Sequence, residues 1–79
     1  NTSCENGTIV IMALEDLKNV KVRNLRGKLI CEFNFLKKDS IKVCPVNSSG
    51  TFNVFADSIN ESVRRGMGMS VTCKSYIEK

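Results

Sequence analysis

Four cysteines, Cys4, Cys31, Cys44 and Cys73, have the widest chemistry open to them of any residues in this chain. They could ligate a metal, exchange electrons or join as disulfides, and their spacing separates these uses. Zinc sites draw ligands in close pairs, about two to four residues apart, and a redox dithiol needs similar closeness. The intervals here are 27, 13 and 29 positions. The chain has no histidine to complete a ligand set or to shuttle protons. An even number of cysteines in so short a chain fits two disulfides made in an oxidising compartment, and secretion is the expectation. Four cysteines allow three pairings, and spacing alone does not choose among them. A bridge closing a loop of about 40 residues is worth about 3 to 4 kcal/mol. That is a large share of the stability of a domain too small to rely on its core alone.

The carboxylates give no second lead. Glu15 and Asp16 are neighbours in a polar connection and read as solvated charges, while Asp39, Asp57, Glu61 and Glu78 are scattered. No catalytic residue, cofactor or metal is expected, and the chain reads as a binding protein without enzymatic activity. Twelve basic and eight acidic residues give a net charge of +4, with Lys37-Lys38 and Arg64-Arg65 the adjacent basic pairs. This is a solvated surface first, secondarily one suited to an acidic partner, and it falls short of the clustered basic stripe of a nucleic-acid binder. Lys21, Arg23, Arg26 and Lys28 flank one turn, as a docking patch or as the wet face of a strand pair. Met67 and Met69, interleaved with Gly66 and Gly68, suit an adaptable contact surface or a filled core gap.

The elements that position these residues follow from period-2 alternation. Leu29, Cys31, Phe33 and Phe35 share one face of a strand. Val20 to Arg23 alternates before it, and Asn24 to Lys28, with Gly27, supplies a hairpin turn. Thr8 to Leu14 is apolar on both faces and reads as a strand covered on both sides, followed by a polar connection over Glu15 to Asn19. Ile41 to Val43 runs into Cys44 and Pro45, where the strand must end or lie at an edge. Thr51 to Ala56, with Phe52, Val54 and Ala56 on one face, and Met69 to Tyr76 complete six strands. Ser58 to Arg65 reads as a helical turn capped by Ser58 and Glu61 or as a glycine-ended loop. The expected fold is all-β, one domain over residues 1–79: a six-stranded antiparallel β-sandwich with two disulfides. Asn1, Asn6, Asn47 and Asn60 begin glycosylation sequons in loop or terminal segments. No segment has the order of a signal peptide and no apolar run approaches the roughly 18 residues of a membrane span, so a mature, soluble chain is expected.

Cys4 stands just before the first of these strands, and Cys44 follows near the end of a central one. In this frame and in its strand rhythm the chain resembles the MAX effectors, small secreted proteins of plant-pathogenic fungi that include Magnaporthe avirulence proteins and ToxB. The stretch Phe52 to Val63, leading on to Cys73, resembles the ToxB tail. The resemblance implies six antiparallel strands in two sheets and the ToxB-like pairing of Cys4 with Cys44 and Cys31 with Cys73. It also implies a secreted monomer, translocated into the host cytoplasm, that binds a host protein to modulate immunity. The implied partner is a heavy-metal-associated domain of an immune receptor or a related host protein, and neither nucleic acid nor membrane. Some relatives pair an exposed edge strand with the partner's sheet. The candidate edge is the second strand, Asn19, Val20, Lys21, Val22, Arg23, Asn24 and Leu25, with Lys21 and Arg23 as its reading residues. The alternative is an extracellular toxin or recognition module.

Overall fold

Asn6 and Gly7 both take positive φ, 44° and 77°, the paired left-handed geometry of a two-residue hairpin turn. That turn joins two strands, β1 (Thr2–Glu5) and β2 (Thr8–Met12). They pair antiparallel, and β2 pairs on its other side with β5 (Ile41–Pro45). A computed structural model describes residues 1–59 and 66–74. The second sheet contains β3 (Leu17–Asn24), β4 (Leu29–Leu36), β6 (Gly50–Ser58) and β7 (Gly66–Cys73), in the order β4-β3-β6-β7. All pairings are antiparallel.

The protein is thus all-β with two sheets, and the described residues hold seven strands where the sequence suggests six. The additional strand is β1, whose Thr-Ser-Cys-Glu carries no apolar alternation of its own. Its signal is the Asn-Gly dipeptide behind it, which doubles as a sequon. A Cβ at Gly7 would have to adopt the left-handed conformation, so Gly7→Ala is expected to cost about 1 to 2 kcal/mol in urea denaturation. The expected hairpin between β3 and β4 is present. The amide of Gly27, at φ 85°, donates to the Asn24 carbonyl at 2.9 Å, and the Asn24 amide donates to the Lys28 carbonyl at 3.0 Å. The Asn24 side chain closes this turn by accepting from the amides of Arg26 and Lys28. β5 ends at Pro45 and is an edge strand, as a proline without an amide proton requires.

The core lies between the sheets. Ile9, Ile11 and Cys44 from the smaller sheet meet Val20, Val22, Leu36, Phe52, Val54, Ala56 and Val71 from the larger one. β2 is covered on one side only. Ile9 and Ile11 are buried, while Val10 and Met12 point outward beside the exposed Ile41 and Val43 of β5. The face expected on β4 also differs. Cys31 and Phe33 pack on the core, but Leu29 and Phe35 are exposed and Leu36 is buried. The β3–β4 register shifts between Val22 and Arg23, so Leu29 stands opposite the outward Arg23; at the other end of β3, Asn19 sits at φ 53° and the register against β6 shifts between Lys18 and Lys21. This irregularity lets both Leu17 and Val20 face inward, and Leu36 pairs opposite Leu17. β3 therefore begins inside the stretch read as a polar connection. β7 begins before Met69, and residues 75–79 lie outside the described residues, as does the Ser58 to Arg65 segment from residue 60 onward.

Two disulfides join the sheets at opposite margins. Cys4 of β1 bonds Cys73 of β7, with Cα atoms 5.1 Å apart, and Cys31 of β4 bonds Cys44 of β5, at 6.2 Å. This corrects the pairing implied by the family resemblance, and the register gives the reason. Cys4 lies opposite Ile9, and Ile9 lies opposite Cys44. Cys4 and Cys44 are therefore two strand spacings apart, roughly 9 to 10 Å, with Ile9 between them. A disulfide does not span Cα atoms more than about 7 Å apart. Two such bridges fit an oxidising environment.

Candidate partner-binding face

The outer face of the four-stranded sheet is where the cationic residues of the second strand stand. Val20 and Val22 turn inward and are fully buried, so Lys21 and Arg23 point outward from the same strand. Lys21 is opposite Glu32 on one side and Phe55 on the other, and Phe55 is in turn opposite Gly68. The Lys21 Nζ lies 3.8 Å from Glu32 Oε2, a half-exposed ion pair that fixes the lysine's direction more than it adds stability. One rung further along, Arg23 stands opposite Asn53, and Asn53 opposite Ser70, whose hydroxyl donates to Asn53 Oδ1 at 3.2 Å. Gly68 leaves the Phe55 ring uncovered, and a Cβ there would rest 3.7 Å from Phe55 Cδ2.

Lys21, Arg23, Asn53 and Phe55 border a hollow of 280 Å³, closed at the hairpin end by Asn24, Leu25 and Gly27. Four of the seven expected contact residues are brought together here. Of the others, Asn19 is exposed at the far end of the strand, its Nδ2 donating to Asp57 Oδ2 at 3.3 Å, and the two valines belong to the core. The expectation that this strand is an edge is overturned. β3 pairs with β4 and β6 at once, so its amides and carbonyls are committed on both sides. A partner can be read here by side chains, and strand addition is left to the margins at β1, β5, β4 and β7. Phe55 and Asn53 were missed in the sequence because their strand was judged by its inward residues. The alternation that put Phe52 and Val54 inside also puts Asn53 and Phe55 outside.

The remaining sequence candidates separate in the same way. All four cysteines are in disulfides and none is free. Asp16 is no plain solvated charge: its Oδ1 accepts from the Lys38 amide at 2.8 Å and pins the β4–β5 turn to the connection before β3. Glu15 is half-buried. Met69 is half-exposed, and its sulfur accepts from the Thr2 hydroxyl at 3.0 Å. Asn1, Asn6 and Asn47 are exposed, and Asn60 lies outside the described residues.

No family model, characterised protein or solved structure matches the chain.

Proposed function

We propose that this chain is a secreted protein-binding domain that serves as an effector of a plant-pathogenic fungus, engaging a host protein and recognised in turn by a plant immune receptor. The observation that carries the binding reading is the hollow beside Lys21 and Arg23. It combines two cations, an uncovered aromatic ring and amide side chains on a sheet held rigid by its own pairing and by sulfur at both margins. Aromatic and cationic groups of this kind are the anchors that dominate protein interfaces. The effector reading draws its support from the two antiparallel sheets and from export-compatible disulfides, whereas the sulfur pairing departs from the ToxB-like one. The partner suited to this face presents carboxylates around an apolar contact, and a heavy-metal-associated domain is the first to try.

Lys21→Glu combined with Arg23→Glu tests the reading. Binding to a partner recovered from host tissue is expected to fall at least about tenfold, mainly through slower association at low salt. Affinity unchanged by the double reversal would remove this face from the interaction. The exposed sequons at Asn1, Asn6 and Asn47 favour a second reading, an extracellular recognition module or toxin. Response of intact cells to the purified protein, against response only on expression inside them, separates the two.

A further inference from the structure

Of the two cations that border the outer-face hollow, Arg23 is the unpaired one. Lys21 is drawn toward β4, where Glu32 is its counter-charge. Among the described residues no ion pair or side-chain hydrogen bond holds Arg23, and no carboxylate borders the hollow. β6 lies between β3 and β7, so the exposed Asn53 has Arg23 on one side and Ser70 on the other. Asn53 Oδ1 is occupied on the β7 side, where it accepts from the Ser70 hydroxyl. The two Nδ2 protons are left for the β3 side, where the guanidinium brings more donors and no acceptor.

A carboxylate is the group that a guanidinium fork and a neighbouring amide donor hold best, because it accepts at both oxygens and carries the missing charge. Phe55 stands two residues beyond Asn53 on the same face, about 7 Å along the strand, and Gly68 leaves its ring uncovered. An extended peptide repeats its side chains at that same interval. We propose that the hollow is a subsite for one acidic side chain of an extended partner segment, its carboxylate held by Arg23 and Asn53 while an apolar side chain two positions away rests on Phe55. The assignment rests on the outer face being the binding face, and it adds which segment of a partner that face selects. Arg23 and Asn53 read the acid, and Ser70 positions Asn53.

Titration of the intact, oxidised protein with acetyl-Phe-Ala-Glu-Ala-Phe-amide, and with the same peptide carrying Gln for Glu, tests this by amide chemical shifts. Phenylalanine on both sides of the acid makes the direction of the peptide immaterial. Shifts are expected at Arg23, Asn53, Phe55 and Gly68, with the Glu peptide bound about tenfold more tightly than the Gln peptide. Arg23→Gln should erase that preference and Asn53→Asp should reverse it, whereas Lys21→Gln should leave it within about twofold. Asn53 is exposed, so Asn53→Asp decides the matter should Arg23→Gln disturb the fold. Equal affinities for the two peptides, a loss on Lys21→Gln as large as on Arg23→Gln, or shifts confined to other residues would each overturn the assignment. If a host partner is lost on reversal of both charges while the two peptides bind alike, the subsite alone falls. If the peptides behave as expected while the host partner ignores the reversal, the subsite stands and the proposed role of the face falls.

Discussion

Replacing Cys4 and Cys73 together by serine is expected to lower the unfolding free energy by about 4 kcal/mol, against about 3 kcal/mol for the Cys31 and Cys44 pair. The order follows from loop length, because the first bridge closes a separation of 69 residues and the second one of 13. A domain of this size holds about 4 to 12 kcal/mol in all, so loss of both bridges, about 7 kcal/mol, removes more than half of even the upper figure and exceeds the lower one. The smaller loop is nested inside the larger and shortens it only from 69 to about 57 residues, so the double loss should come close to the sum of the two. Urea denaturation of the two paired variants measures the ranking, and peptide mass mapping of the native protein measures the pairing directly. A peptide joining Cys4 to Cys44 would contradict both the register of β1, β2 and β5 and the stability order drawn from it.

The second large effect is a contrast between neighbours. Leu36→Ala is expected to cost about 3 kcal/mol, and Phe35→Ala less than about 1 kcal/mol. Leu36 is 1% exposed and Phe35 53% exposed, although the larger aromatic ring is the one that strict alternation along β4 places inside. Chemical denaturation of the two variants checks this. If the phenylalanine proves the costlier of the two, the shift of register at Asn19 is not present in solution.

That contrast also locates the limit of what the chain reveals before it is folded. Period-2 alternation identified the β3–β4 hairpin, the inward set Phe52, Val54 and Ala56, and the proline-ended edge strand, because each depends on residues close in sequence. It failed at Asn19 because one left-handed residue brings both Leu17 and Val20 inward and so turns Leu36, opposite Leu17, in and Phe35 out, and an asparagine in a polar stretch gives no warning of it. β1 was hidden for a different reason. Four residues without apolar rhythm become a strand by pairing with β2, and the Asn6-Gly7 turn was the available sign. Cysteine pairing is further from reach, since it depends on which margin of one sheet lies over which margin of the other. The candidate contact face was half legible. Lys21 and Arg23 stood out by charge, whereas Phe55 acquires its role only when β6 is laid beside β3.

The Cys4–Cys73 bridge makes the described chain a covalent ring, with nearly every strand inside it. Tension applied to the two ends would run through the sulfur atoms and bypass the sheets, so pulling would not unravel them. Passage through a pore wide enough for only one extended strand of polypeptide would then demand a reductant at the entrance, and refolding on the far side of such a pore in a thiol-rich interior would proceed without its clasp.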